Sequence, residues 1–121
     1  MANYDNLPVF KACYDLLLRI FQLGQHWRRD IRYTLGEEIK KEIIAIEQFI
    51  YQANASHQKI GYIRSARVSM VKVKLQLRIA HDLKELSLNQ YISTAELAES
   101  ISKQLSAWEK SQLKHNELLT V

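Results

Sequence analysis

Four stretches of the chain repeat their apolar residues with the period of an α-helix, and none sustains the alternation of a strand. That pattern limits the fold to packed helices. One proline and three glycines leave few places for tight turns, which argues against a sandwich or barrel built from many hairpins. With 121 residues there is enough chain for one domain, and 47% apolar content fills a core and argues against disorder. A single cysteine excludes an intramolecular disulfide and a cysteine-based zinc site.

The periodicity predicts helices over about 8–24, 35–54, 58–86 and 88–110, in one domain spanning 1–121. Val9, Cys13, Leu16, Ile20 and Leu23 line the first, with Asn6 or Leu7 as cap, Pro8 in its first turn and Gly24 as a stop. Thr34-Leu35-Gly36-Glu37 has the form of a capping box for the second, whose stripe is Leu35, Ile39, Ile43, Ile46, Ile50 and Ala53. The third is the longest, and Gly61 offers it a later start. Ser87-Leu88-Asn89-Gln90 can cap the fourth, with Ser93-Thr94-Ala95-Glu96 as a rival; Tyr91, Ala95, Ala98, Ile101, Leu105 and Trp108 share one face and favour the earlier start. Patterning fades after Lys110, so the tail is expected to fray. Short connections make neighbours antiparallel, giving an all-α, up-down-up-down four-helix bundle.

The N-terminus is polar rather than a basic stretch followed by an apolar one, and Leu16-Leu17-Leu18 is cut at once by Arg19. A soluble, intracellular protein without a membrane partner is expected.

The third helix has more apolar surface than one core needs. At about 100° per residue from Arg64, Ala66, Met70, Val73, Leu77 and Ala80 fall at roughly 160° to 240°. Val68, Leu75, Ile79, Leu83 and Leu86 fall at roughly 20° to 100°. One stripe serves the bundle core. The other packs inside a larger fold or against another subunit, and large bare apolar patches are unusual on monomers. Tyr14, Leu18 and Phe21, off the main stripe of the first helix, also favour a homo-oligomer, with Val68, Leu75, Ile79 and Leu83 as its interface.

Between these stripes lie Arg64, Arg67, Lys74, Arg78 and His81; Lys72 sits apart, near the second apolar stripe. Residues 59–86 hold seven basic and two acidic side chains, so this segment exceeds the whole chain's net charge of +4. A row of cations can neutralise successive phosphates and release counterions, and arginine binds phosphate with two parallel bonds. Arg28, Arg29 and Arg32, interleaved with Trp27 and Tyr33, suit base stacking as well. The plain alternative is a solvated face partly paired with the acidic second helix. Another is a face that docks an acidic protein surface.

Signs of chemistry are few. Glu37, Glu38 and Glu42 complement the start of the second helix. His26, His57, His81 and His115 are scattered, and His81 with Glu85 suits an exposed ion pair better than a metal site. Cys13 lies on an apolar face as an inert thiol. No phosphate loop is present. Neither catalysis, a metal nor a cofactor is expected.

Several runs resemble a known family. They are Leu7-Pro8-Val9-Phe10-Lys11, Arg32-Tyr33-Thr34-Leu35-Gly36-Glu37-Glu38-Ile39, Leu77-Arg78-Ile79-Ala80-His81-Asp82-Leu83-Lys84, and Tyr91 with Ser106-Ala107-Trp108. Over about 7–110 the chain is similar to the bacterial four-helix-bundle family of ribosomal-RNA intervening-sequence proteins. It is most similar to the branch of the accessory variability determinant, Avd, of diversity-generating retroelements. The resemblance implies a homopentameric barrel of bundles with a basic surface, cytoplasmic and encoded by a bacterium or phage. It also implies binding to the element's reverse transcriptase and to RNA or DNA, in support of mutagenic cDNA synthesis and retrohoming, without catalysis. Carried onto this sequence, the nucleic-acid-binding candidates are Arg64, Arg67, Lys74 and Arg78, then Lys72, Arg28, Arg29 and Arg32. Where relatives often have Phe-Pro in the first connection, this chain has Trp27-Arg28. The intervening-sequence branch implies the alternative: a protein-interaction module with no nucleic-acid role.

Overall fold

The computed structural model describes residues 3–119. Its four main helices are α1 (Pro8–Gly24), α2 (Glu37–Ala55), α3 (Ile60–Asp82) and α4 (Leu88–Leu119), and there is no strand among the described residues. α1 packs on α2 and α4, and α3 packs on the same two, so α1 and α3 lie diagonally across a four-helix bundle. Leu16 and Ile20 of α1 meet Ile39, Ile43, Ile46 and Ile50 of α2 in its core, with Met70, Val73 and Leu77 of α3 and Ala98, Ile101 and Leu105 of α4. Every one of these is fully or nearly fully buried. Burying each large aliphatic side chain contributes about 1.5–3 kcal/mol. Of the two α3 stripes, the one from Ala66 to Ala80 faces the core.

Five local features depart from or refine the expected pattern. Thr34 does not cap α2. Helical backbone already begins at Arg29–Ile31 and passes through a π-turn over Arg32–Gly36. The Thr34 hydroxyl instead donates back to the Asp30 carbonyl at 2.6 Å, the usual behaviour of threonine inside a helix.

α3 starts at Ile60 rather than 58, because Lys59 is used elsewhere. Its Nζ donates to the Ala53, Asn54 and Ser56 carbonyls at 2.8, 3.1 and 2.7 Å, closing the C-terminus of α2. α3 also stops at Asp82, short of 86. Lys84 turns left-handed at φ 66°, its N–H donates to the His81 carbonyl, and the Glu85 N–H donates to the Ala80 carbonyl. That is the Schellman arrangement. The turn carries Leu86 out of the outer stripe and into the core, where it is 2% exposed.

The Ser87 cap of α4 holds reciprocally. The Gln90 N–H donates to Ser87 Oγ at 3.1 Å, and the Ser87 N–H donates to Gln90 Oε1 at 2.9 Å. Ser93–Glu96 lies inside the helix. α4 then runs to Leu119 instead of fraying after Lys110. Its last turns are rich in good helix formers and lie beside His57 and Lys59 of the α2–α3 connection.

Candidate nucleic-acid interface

The antiparallel pairing of α3 with α4 decides what becomes of the basic row. Arg64 Nε lies 3.2 Å and Arg67 Nη1 2.7 Å from the two oxygens of Glu109. Lys74 Nζ is 2.8 Å from Glu99, one bundle layer further along. Arg78 stands 3.9 Å from Asp82 in its own helix, and Lys72, on the other flank, lies 3.1 Å from Glu42 of α2. Each of these five cations therefore faces a carboxylate. Only Lys72 pairs with α2; two of the four carboxylates, Glu109 and Glu99, come from α4.

The electrostatics agree with the geometry. Hydrogen bonding from Arg67, aided by Arg64, holds the Glu109 carboxyl below the usual carboxylate range against the opposing effect of its burial. Lys74 does the same for Glu99. The row still faces outward, with the Arg64 side chain 59% and that of Arg78 72% exposed. An arginine has five N–H donors and one carboxylate satisfies only some, so a phosphate could share the same guanidinium.

The second basic group is split by its contacts. Arg28 is a clamp: its Nε donates to Glu85 Oε1 at 2.6 Å and its backbone N–H to Oε2 at 2.9 Å. This ties the α1–α2 connection to the α3–α4 turn and raises the arginine's pKa above its ordinary value. Glu85 is thereby taken from His81, so the expected His81–Glu85 pair is absent. His81 Nδ1 instead lies 3.1 Å from the Leu86 carbonyl, and its ring stacks on Tyr91 at 4.8 Å. Arg29 is exposed, while Arg32 is half-buried with its guanidinium 5.5 Å from the Tyr33 ring centre. Trp27 is buried under the connection as a packing anchor. Arg28, Arg29 and Arg32 share the end of the bundle at which α3 finishes, and so lie beyond Arg78 rather than beside Arg64.

The outer apolar stripe is bare. Val68 is 71% and Leu75 58% exposed, with Ile79 and Leu83 also open. Val71, 68% exposed, belongs to the same patch. Its wheel position, at roughly 340°, falls between Arg78 and Arg64 inside the charged row, which is why the sequence grouping omits it. Val68 and Val71 adjoin Arg64, Arg67 and Glu109 in one shallow depression, so apolar and cationic surfaces are contiguous.

A family model described as bAvd-like matches residues 9–112. The chain belongs to the bAvd-like family. No curated protein matches the sequence. The matched span runs from the first turn of α1 into the last third of α4, so it includes every residue of the α3 row and the carboxylates that face it. Among the described residues of this bAvd-like chain, no group of three or more histidine, cysteine, aspartate or glutamate side chains could hold a metal ion. No helix among them is long and apolar enough to cross a membrane.

Sequence reasoning also passes over Glu47. This α2 residue is 8% exposed, and its Oε1 has no hydrogen-bond partner among the described residues. Burial pushes its carboxyl up to about 7, partly offset by hydrogen bonding with the Cys13 thiol. A glutamate one step from Ile46 at the edge of the apolar stripe gives a signal, but a weak one.

Proposed function

We propose that this chain is a non-enzymatic accessory subunit of a diversity-generating retroelement. It assembles with copies of itself, as a pentamer in keeping with the family resemblance, and holds the reverse transcriptase and nucleic acid during mutagenic cDNA synthesis in the cytoplasm. The observation that carries this reading is the bAvd-like match across all four helices. Two features of the surface support it. The stripe of Val68, Val71, Leu75, Ile79 and Leu83 is apolar area that a monomer gains nothing by exposing. Repeating the Arg64–Arg78 row around an assembly would multiply a weak charge surplus into a basic surface.

The test is RNA retention across a salt series. Replacing Arg64, Arg67, Lys74 and Arg78 with alanine is the suitable perturbation, because glutamate there would repel Glu109 and Glu99. Loss of up to four phosphate contacts should flatten the slope of log K against log salt by up to about 3. Retention with an unchanged slope would remove these residues from the interface.

A second reading has its own support. Because all five α3 cations face carboxylates, the row also fits a protein-interaction module of the intervening-sequence type. That reading expects no salt-dependent RNA retention at all.

A further inference from the structure

The diagonal face of the bundle holds a second feature. Between α1 and α2 runs an open groove of about 560 Å³, lined by Tyr4, Phe10, Ile44, Glu47, Gln48 and Tyr51. Tyr4 stands edge-on to Phe10 at 5.1 Å and to Tyr51 at 4.8 Å. Beside these rings is Glu47, with one buried oxygen that has no hydrogen-bond partner among the described residues. Electron-rich rings next to a carboxylate attract a cation and repel a phosphate. A basic residue of the neighbouring surface is already committed: Lys40 Nζ lies 3.0 Å from Glu37 and 4.5 Å from the centre of the Phe21 ring. It does not neutralise Glu47.

The complement to this groove is on the same chain. The outer face of α3 presents Val68, Val71 and Leu75 as an apolar ridge, with Arg64, Arg67 and Arg78 on one flank and Lys72 on the other. α1 and α3 are diagonal, so one subunit can offer ridge and groove to two different neighbours. A ridge does not complement a ridge, which makes the contact head-to-tail, and head-to-tail contacts close into rings when the rotation permits.

We infer that the α1–α2 groove receives the outer face of α3 from a second copy, and that Glu47 forms an ion pair there with an arginine or lysine of that helix. The inference rests on the homo-oligomer reading above and adds to it the receiving surface and the residue that selects it. A buried carboxylate with an unbonded oxygen is costly in the lone subunit, and a partner cation relieves that cost.

Oxidative cross-linking tests the contact. Single substitutions Gln48→Cys and Val68→Cys place thiols on groove and ridge, while native Cys13 is fully buried and does not react. Mixed, the two variants should link Gln48→Cys of one copy to Val68→Cys of another, and neither variant should link to itself. Sedimentation of Glu47→Lys should show assembly weakened at least about tenfold, with circular dichroism confirming the fold. Alanine at one of Arg64, Arg67, Lys72 and Arg78 should relieve the repulsion and partly restore it. Val68→Cys linking to itself, or Glu47→Lys assembling like the unaltered chain, would overturn the inference while leaving the homo-oligomer in place. A monomer throughout would overturn both.

Discussion

Glu47 makes an isolated subunit less stable as pH rises, and Glu47→Gln should remove that effect. An ordinary glutamate titrates at 4.5, whereas burial pushes this one up to about 7. Below about pH 4.5 the group is protonated in both folded and unfolded chains and costs nothing. Between there and about 7 the unfolded chain gives up its proton while the folded chain keeps it, so stability falls with rising pH. Above about 7 the loss is complete. The rise amounts to about 3 kcal/mol at 1.36 kcal/mol per pH unit. Solvent reaching the groove wall reduces this to about 2 kcal/mol. Glutamine keeps the shape and cannot ionise. Among the described residues, the Cys13 thiol of α1 meets Glu47, and Tyr4 of the N-terminal turn and Tyr51 of α2 line the same groove. Burial raises the thiol far above its ordinary value, so it stays neutral through this range.

The assay is urea unfolding followed by circular dichroism at pH 5 and pH 8. It should be made in a Val68→Asp, Leu75→Asp background, which keeps subunits apart and prevents a partner cation from reversing the effect. The advantage of Glu47→Gln over its parent should grow by about 1.5 kcal/mol between the two pH values, the rest of the loss having already occurred by pH 5. An advantage that is equal at both would show that this carboxyl is not held protonated, and the account of the groove would lose its main physical premise.

Other outcomes follow from the turns and the basic row. Lys84 adopts φ 66° without a side-chain reason to do so, and Lys84→Gly should stabilise the fold by about 0.5–1 kcal/mol in the same unfolding assay. Ser87→Ala removes one half of the reciprocal cap of α4 and should cost about 1 kcal/mol. Glu109→Gln releases Arg64 and Arg67 from their shared carboxylate, so RNA should be retained at higher salt than by the unaltered chain. Unchanged retention would show that Glu109 does not compete with phosphate.

The helices and their core faces were legible because each depends on local period alone. Val9 to Ile20, Ile39 to Ala53 and Ala66 to Ala80 are buried as the wheel places them. Helix ends were less legible where a distant group takes part. Lys59 serves the helix before it, and Thr34 looks like a cap only if the preceding turn is not helical. The basic row could be read from spacing, but its neutralisation could not. Which carboxylate meets Arg64 or Lys74 depends on the register of α3 against α4, and no single-helix pattern contains that. Glu47 was hidden for the same reason: its burial comes from the packing of α1 on α2, and its neighbours Tyr4 and Phe10 lie far away in the chain.

The most direct test of the functional account is sedimentation velocity of the intact chain at low salt, with and without single-stranded RNA. The account predicts an assembly larger than a single 121-residue subunit that carries RNA with it. It also predicts that replacing Arg64, Arg67, Lys74 and Arg78 with alanine releases the RNA while circular dichroism shows the helices intact. A monomer, or an assembly that leaves RNA behind at low salt, would contradict it.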